Sequence, residues 1–331
     1  MRRFLSKVVL LAVLASLAVG GFGLWWVHQP LRLAAPSLDV SIEPGTLPRG
    51  VAQAVVDAGV DASPDLLYWW FRLSGQARAI KAGSYELEAG ITPRRLLSKL
   101  ARGEESLRAV TLVEGWTFRQ LRAALAKEDS LKADTRGLDD AAVMALLGRP
   151  GVHPEGHFFP DTYTYAKGSS DVKVLRRALT AMDKRLAAAW AQRTPQVAVK
   201  SADEALILAS IVEKETGRGA DRPLISAVFN NRLRVGMPLQ TDPTVIYGMG
   251  TAFNGNLRKS DLQTDTPWNT YTRPGLPPTP IAMPGKAALL AAVQPAPGKA
   301  LYFVARGDGS SHFSETLDEH NRAVNKYQRG Q

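Results

Sequence analysis

Two glutamates at the end of an unusually apolar segment are the residues of this 331-residue chain best suited to proton transfer. Glu213 and Glu215 directly follow the segment 206–212, which reads LILASIV. A carboxylate that emerges from such a segment is partly desolvated, and desolvation favours the protonated form that a general acid needs. If the segment is helical, residues two apart point about 200° apart, so only one of them can face a given cleft. A solvated helix end, with either glutamate paired to Lys214 or Arg218, explains the same pattern.

Further polar side chains lie in segments rich in glycine, proline and aromatic residues, where binding groups concentrate. They comprise the carboxylates and neutral hydrogen-bonding groups Glu114, Glu155, Asp161, Asp242, Asn231, Gln240, Asn269 and Tyr271. The aromatic residues among them include Trp116, Phe158, Phe159 and Trp268. Flat rings for sugar faces together with amides for hydroxyl groups are typical of a carbohydrate cleft. Asp161 and Asp242 also fit the alternative role of turn former or helix cap, because each is adjacent to a proline.

Several other chemistries are disfavoured by what the sequence contains. The chain has no cysteine, so disulfides, thiol catalysis and thiolate zinc sites are excluded. His153 and His157 have the spacing of a zinc protease, but Pro154 and Gly156 between them disfavour the helix that this spacing requires. Motifs for phosphate loops, dinucleotide binding and nucleophile elbows are also missing from the sequence. We therefore expect an enzyme that needs no metal and no cofactor.

The sequence pattern around these side chains predicts an α+β fold, with a larger mixed domain at residues 107–331. Hydrophobic periodicity predicts helices at Thr117–Lys127, Asp139–Leu147, Asp171–Gln192, Ala202–Glu215, Arg222–Arg234 and from Leu317 onward. Strands are predicted at Arg108–Val113 and Leu301–Ala305, and a second short strand is expected after Gly309. From Gln240 to Pro284 the composition predicts ordered loops that line a site rather than a flexible linker.

A smaller α+β unit is predicted at residues 38–106. Its elements, in chain order, are a strand at Leu38–Ile42, a helix capped by Thr46, a helix from Ser63-Pro64 to Ser74, a strand at Lys81–Leu87 and a helix at Thr92–Ala101. Its aromatic cluster, Tyr68–Phe71, is expected mainly in the core. Units of this kind bind glycans or proteins more often than they catalyse reactions.

The N-terminus predicts a membrane anchor at residues 8–27. About 20 uncharged apolar residues span about 30 Å of hydrocarbon, and the basic residues within the tail 1–7 favour keeping that end in the cytoplasm. A cleaved signal usually has a shorter apolar stretch that ends in small residues, whereas this one ends in Trp25-Trp26. The remaining chain, after a linker at 28–37, is therefore expected outside the cytoplasm. The net charge of +10 of the whole chain then indicates an anionic partner or surface other than nucleic acid.

Several motifs of this chain, taken together and in this order, make it similar to a known family. They are Ile211–Thr216, Asn231–Met237, Leu239–Gly248, Asn269–Tyr271, Gly275–Pro278 and Tyr302–Val304. They resemble the endolytic murein transglycosylases, and the resemblance extends to Glu114-Gly115, to Glu155-Gly156 and to the anchor. The family's small domain looks like a LysM module, which fits residues 38–106. The chain departs from the family pattern at His157, Trp268 and Met283.

The resemblance implies a site and an activity. The family's catalytic acid occupies the first glutamate of the VEKET run, which is Glu213 here, and this selects Glu213 over Glu215. From their residue types and their positions in the loops described above, we expect substrate binding by Glu114, Glu155, Asn231, Gln240, Asp242, Asn269 and Tyr271. The implied substrate is the glycan of nascent peptidoglycan, cut without water between N-acetylmuramic acid and N-acetylglucosamine to leave a 1,6-anhydro end.

The family further implies an enzyme of the plasma membrane that ends strand elongation and associates with peptidoglycan synthases. Two alternatives stay open at this point. One is a hydrolytic muramidase, in which Glu155, Asp161 or Asp242 supplies a second carboxylate. The other is a non-catalytic tether that binds peptidoglycan and holds it to the membrane.

Overall fold

The computed structural model describes residues 2–330, which fold as a mixed α/β chain of two compact units. The first unit contains the residues up to Arg108 together with 164–169. The second contains 109–163 and the residues from 170 onward, and it holds every residue that the sequence predicts for the active site.

The first unit begins with helix α1, Arg2–Trp26. Its segment Val9–Trp26 has a mean hydropathy of 2.0 and none of it is buried in the protein. This single helix is long and apolar enough to cross a membrane, as the sequence predicts, and it fits a membrane anchor or a signal sequence.

The rest of the first unit is a small α/β fold. Its elements are β1 Arg32–Leu33, β2 Ser37–Ile42, α2 Pro48–Asp57, β3 Val60–Asp61, α3 Pro64–Leu73, β4 Gly83–Glu88 and α4 Pro93–Arg102. Strands β2 and β4 pair antiparallel with Val40 opposite Tyr85, and β1 pairs with β3. The predicted cap of α3 is confirmed, because the Ser63 hydroxyl accepts a hydrogen bond from the Leu66 N–H. In the aromatic cluster Phe71 is fully buried, whereas Trp69 is 53% exposed.

Two predictions for this unit need correction. Thr46 does not cap α2, because Pro48 occupies the first helical position and places Leu47 at the N-cap. The Thr46 hydroxyl donates instead to the Glu43 carbonyl at 2.7 Å. Residues 28–37, expected as a linker, are part of the fold: the buried Leu31 donates its N–H to the Ile91 carbonyl at 2.8 Å, and β1 lies within this segment.

The remaining elements follow in chain order. They are β5 Leu107–Thr111, α5 Phe118–Ala126, α6 Asp140–Leu146, β6 Thr162–Ala166, α7 Asp171–Ala191, α8 Ala202–Glu215, α9 Arg222–Arg234, α10 Asp242–Met249, α11 Lys259–Gln263, α12 Lys286–Val293, β7 Tyr302–Ala305, β8 Ser311–Ser314 and α13 Leu317–Gln328. Strand β5 pairs with β6, and β7 pairs antiparallel with β8. The helices α10, α11 and α12 and the strand β6 are additions to the predicted elements.

Helix α8 is the centre of the second unit. It packs against α7, α9 and α12, and its residues from Ala205 to Val212 are buried except for Ile207. The core around it includes Phe229 of α9 and Leu289 of α12. Because α8 is enclosed by apolar side chains along most of its length, its C-terminal end is fixed in position, and this end carries Glu213.

Candidate active site

The Glu213 carboxylate lies where three helices meet. Its Oε1 is 3.0 Å from Nη2 of Arg222, the first residue of α9. Its Oε2 accepts a hydrogen bond of 2.9 Å from the N–H of Gly285, which is the N-cap of α12. The side chain of Glu213 is 6% exposed and that of Arg222 is 13% exposed. The glutamate at the end of the apolar helix is therefore held on both oxygens, and its ionic partner is Arg222 rather than Lys214 or Arg218.

A second carboxylate, Glu114, contacts the same glycine. The N–H of Gly115 donates to the Met283 carbonyl at 2.9 Å, and the Met283 N–H donates to the Trp116 carbonyl at 2.8 Å. These bonds bring Glu114 so close to Gly285 that a Cβ on this glycine would lie 1.8 Å from Glu114 Oε1. Glu114 and Glu213, both predicted for the site from sequence, are thus brought together.

A cavity of about 560 Å³ approaches this cluster at Lys214, and Glu213 itself is not among its lining residues. Its lining includes Lys214, which follows Glu213 in the chain and donates a hydrogen bond from Nζ to the Gly115 carbonyl at 3.3 Å. The aromatic residues in the lining are Phe118, Tyr247, Phe253 and Trp268. The rings of Tyr247 and Trp268 meet edge to face, with their centroids 5.5 Å apart. The cavity therefore offers the flat apolar surfaces that sugar rings pack against.

Glu155 is the buried carboxylate among the lining residues of this cavity, which also include Asp140. It is 3% exposed, and it accepts hydrogen bonds from the Phe118 N–H at 2.9 Å and from the Tyr247 hydroxyl at 3.1 Å. Burial raises the pKa of Glu155 to about 7, although both donors act in the opposite direction. The next residue must be glycine, because Gly156 has a φ of +82° and a Cβ there would lie 2.5 Å from Pro280.

Glu215 points to a different set of partners, as the helical spacing predicts. The Thr241 hydroxyl donates to its carboxylate, and burial raises the pKa of Glu215. Nearby, the Tyr271 hydroxyl donates to Asp242 Oδ1 at 2.6 Å. Gln240 immediately precedes Thr241 in the chain. Its φ is 48°, and it is the one non-glycine residue within 2–330 with a positive φ. Such backbone strain is concentrated at functional sites, and the exposed Gln240 side chain is available to a ligand.

The two remaining predicted residues, Asn231 and Asn269, have their amides engaged within the protein. Asn231 Nδ2 donates to the Ala300 carbonyl at 2.9 Å, and its Oδ1 accepts from Arg234 at 2.8 Å. The fully buried Asn269 donates to the Leu262 and Thr264 carbonyls at 3.0 and 2.6 Å and accepts from the Tyr271 N–H. Both side chains hold loops in place, and contact of either with substrate stays a prediction.

Asp161, the other carboxylate considered, is exposed and lies 3.5 Å from Arg185. Three residues of the site were not found by sequence reasoning: Arg222, Gly285 and Tyr247. Arg222 lies nine positions after Glu213, beyond a loop, so no local spacing rule connects them. Within residues 2–330 no group of three or more histidine, aspartate or glutamate side chains is arranged to hold a metal ion.

Comparison with known proteins identifies clear relatives. The YceG-like family matches residues 40–326. An endolytic murein transglycosylase of Bacillus subtilis (strain 168) is 32% identical over 88% of this chain and 85% of its own length. One from Streptococcus pneumoniae serotype 2 is 27% identical over 95% of this chain and 63% of its own length. The crystal structure of a YceG-like protein from Listeria monocytogenes superposes with a TM-score of 0.55 at 29% identity, covering 87% of this chain and 98% of that chain.

Proposed function

This chain belongs to the YceG-like family, and from that membership and the surroundings of Glu213 we propose that it is a peptidoglycan lytic transglycosylase. The observation that carries the proposal is the fixed position of a nearly buried carboxylate, Glu213, beside an aromatic cavity. Relatives that are named endolytic murein transglycosylases cover most of the chain, which supports the same reaction class.

The proposed reaction cuts the bond between N-acetylmuramic acid and N-acetylglucosamine. Glu213 donates a proton to the bridging oxygen while the bond from this oxygen to the muramyl C1 breaks. The O6 hydroxyl of the same muramyl residue then attacks C1, and its proton returns to Glu213. The product has a 1,6-anhydro end, and no water is consumed. Because O6 and C1 belong to one sugar, the attack benefits from a high effective concentration.

The cavity suits the sugar rings on one side of the cut bond. Trp268 is oriented by a hydrogen bond from its Nε1 to the Thr279 hydroxyl at 2.9 Å, so its ring is held ready for stacking. We assign substrate contacts to Glu114, Glu155, Gln240, Asp242 and Tyr271, which present polar groups from the loops around α8 and α10. The proposed roles of Asn231 and Asn269 are indirect, through the loops that they hold.

The finer parts of the function are proposals of the same kind. They are cleavage within nascent strands, which would end strand elongation, a LysM-like glycan-binding role for residues 38–106, and association with peptidoglycan synthases. Helix α1 would hold the enzyme in the plasma membrane as a single-pass anchor with the N-terminus in the cytoplasm.

The variant Glu213→Gln tests the acid. Glutamine keeps the shape of the side chain but removes the proton, so we expect cleavage of purified glycan strands to fall by about 100-fold or more. Glu43→Gln, which changes an exposed glutamate of the first unit, is the matched control and should cleave normally. Activity near the wild-type rate in Glu213→Gln would refute the assignment, and loss of activity in Glu215→Gln alone would transfer the role to Glu215.

A hydrolytic muramidase is the second candidate function. The buried Glu155, whose pKa of about 7 suits proton transfer near neutrality, favours it by offering a second carboxylate. Digestion in heavy-oxygen water separates the two reactions, because hydrolysis places the label in the new reducing ends and transglycosylation does not. If mass spectrometry finds unlabelled anhydro ends, the result supports the lytic transglycosylase. If it finds labelled reducing ends, the result supports the muramidase.

The third candidate function is a non-catalytic tether. A tether would bind isolated sacculi and produce no new glycan ends, and Glu213→Gln would not change its binding. The same digestion, analysed for total new ends, distinguishes it from both enzymes.

A further inference from the structure

The aromatic cavity of the second unit has two positive side chains in its wall that lack an acidic partner. Lys214 and Arg119 both belong to its lining, and both are exposed. Neither takes part in any ion pair between residues of the described range 2–330. Arg222, by contrast, is paired with Glu213. Lys214 and Arg119 are therefore available to a negatively charged group of a ligand.

Lys214 belongs both to the cavity wall and to the surroundings of the proposed acid. It follows Glu213 near the end of α8, and its Nζ donates to the Gly115 carbonyl at 3.3 Å. The position of this carbonyl is fixed, because the Gly115 N–H donates to the Met283 carbonyl at 2.9 Å. An ammonium group has three N–H donors. Since the bond to Gly115 uses one of them, two remain for a ligand.

The acidic residues of the lining do not neutralise these two cations. Asp140 is paired with Arg122 at 3.1 Å. Glu155 is bonded within the cavity wall, and burial raises its pKa to about 7, so a large part of it is uncharged at neutral pH. Burial also lowers the pKa of His153, which keeps this imidazole mostly neutral. The charge that remains on the lining is therefore positive.

The substrate of the proposed function carries a group that matches this charge. N-acetylmuramic acid differs from N-acetylglucosamine by a lactyl ether. The carboxyl group of this ether is either free or joined to a stem peptide that has carboxylates of its own. Ammonium and guanidinium groups bind carboxylates through charge-assisted hydrogen bonds. A strand of neutral sugars would leave both cations of the cavity without a partner.

We propose that Lys214 and Arg119 form a carboxylate-binding subsite of the cavity, which recognises the acidic group of a muramyl residue. The inference rests on the proposed function and adds to it the part of the substrate that the cavity recognises. Because N-acetylglucosamine has no carboxyl group, the contact distinguishes the two sugars of the strand. Lys214 makes this distinction next to Glu213, where the bond is cut.

The test uses two kinds of purified glycan strand, which separate the two sources of the carboxylate. Strands stripped of their stem peptides by an amidase carry the free lactyl group, whereas intact strands carry carboxylates on the stem peptide only. Each kind is prepared in its acidic form and in a form whose carboxyl groups are converted to N-methyl amides. The conversion removes the negative charge and adds little volume.

The full-chain wild-type enzyme should prefer the acidic form of at least one kind of strand. We expect a kcat/KM about fivefold higher than for the matching amide, the upper end for an ion pair open to solvent. The preference should shrink at an ionic strength of about 1 M, because salt screens exposed charges. A preference in stripped strands assigns the contact to the lactyl group, and one in intact strands assigns it to the stem peptide. Equal kcat/KM for acid and amide in both kinds would overturn the proposal.

The variants Lys214→Gln and Arg119→Gln locate the preference. Each should lower kcat/KM for the acidic strands by about threefold and leave that for the amides nearly unchanged. Lys200→Gln removes the same charge from an exposed lysine before the opposite end of α8 and should keep the full preference. A lysine that only holds the Gly115 loop would, when replaced, lower both rates equally. If neither variant reduces the preference for the acidic strands, the subsite is refuted.

Failure of this inference and failure of the proposed function give different results. If Glu213→Gln cleaves normally, the proposed function itself fails. If Glu213→Gln is inactive and the wild type cleaves acidic and amidated strands equally, only the carboxylate subsite fails. Should Lys214→Gln not fold, as judged by circular dichroism, the wild-type comparison and Arg119→Gln still decide the question.

Discussion

Glu155 is a carboxyl group whose charge changes near neutral pH because the protein encloses it. Burial raises its pKa from 4.5 to about 7, and the hydrogen bonds from Phe118 and Tyr247 limit the rise. Between these two values the folded protein binds a proton that the unfolded chain has already lost. This single side chain therefore makes the stability of the second unit depend on pH.

We expect the contribution of Glu155 to the free energy of unfolding to be fully present below about pH 4.5 and to be lost as the pH rises through about 7. The sign follows from the raised folded-state pKa, because the charged carboxylate is the form that burial disfavours. The difference amounts to about 3 kcal/mol across this interval. Glu155→Gln, which cannot ionise, should lack this contribution, so its free energy of unfolding should fall less between pH 4.5 and pH 8 than that of the wild type.

Tyr247→Phe provides the control for this prediction. It removes a hydrogen bond that lowers the pKa of Glu155, so the pH at which stability is lost should move upward. Equal pH dependence of unfolding in the wild type and Glu155→Gln would show that Glu155 is not the group responsible.

Gly285 provides a second prediction at the scale of one residue. Its φ of −78° suits alanine, and Gly285→Ala keeps the N–H that binds Glu213. The added Cβ would, however, occupy the place of the Glu114 carboxylate and force this side chain away. We expect Gly285→Ala and Glu114→Ala to lower kcat/KM by a similar factor, about tenfold for one charged hydrogen bond. The double variant should be no worse than either single one, and a multiplicative loss would contradict this explanation.

At the scale of elements, helices with their own end signals were predicted with the correct bounds. Helix α8 begins after the Ser201 cap, whose hydroxyl accepts from the Glu204 N–H. Helix α9 ends in a Schellman motif, in which Gly236 has a φ of 70° and the Met237 N–H donates to the Arg232 carbonyl at 2.8 Å. Such signals are local, so the sequence alone is enough to place them.

The elements that sequence reasoning missed lack such signals or are too short to show a period. Helix α12 has eight residues and no side-chain cap, and α11 has five residues in a polar segment. Helix α10 begins with Asp242-Pro243 in a segment whose composition resembles a loop. For the site, the motif resemblance selected Glu213, whereas its partners Arg222 and Gly285 come from other elements. Their meeting depends on how α8, α9 and α12 pack, which no local pattern records.

Asn269 holds the loop that follows α11 in place. It joins the end of α11 to the following loop through hydrogen bonds donated to the Leu262 and Thr264 carbonyls and one accepted from the Tyr271 N–H, all of them partly buried. In Asn269→Ala the Leu262 and Thr264 carbonyls lose their donor, which should reduce the free energy of unfolding by about 3 kcal/mol. Denaturant unfolding measures this loss, and Gln240→Ala, an exposed change in a nearby loop, should cost far less. A stable Asn269→Ala that binds glycan poorly would instead indicate direct contact with substrate.

At the scale of the whole molecule, the apolar helix α1 and the folded units have opposite solvent requirements. The segment Val9–Trp26 exposes its apolar side chains, whereas each of the two folded units encloses apolar side chains in its interior. The basic residues that precede this apolar segment predict which end stays inside. If the anchor is uncleaved, residues on its two sides must be in different compartments.

The absence of cysteine makes this last prediction directly testable in the full chain. A single cysteine replaces Ser6, which precedes the apolar segment Val9–Trp26, in Ser6→Cys, or the exposed Ser41 of strand β2 in Ser41→Cys. With a maleimide that does not cross the plasma membrane, intact spheroplasts should label Ser41→Cys, whereas Ser6→Cys should react only after the membrane is permeabilised. Labelling of Ser6→Cys from outside would reverse the orientation. If the mature protein lacks the Ser6→Cys site altogether, α1 is a cleaved signal, and the anchored form of the enzyme that we propose does not exist.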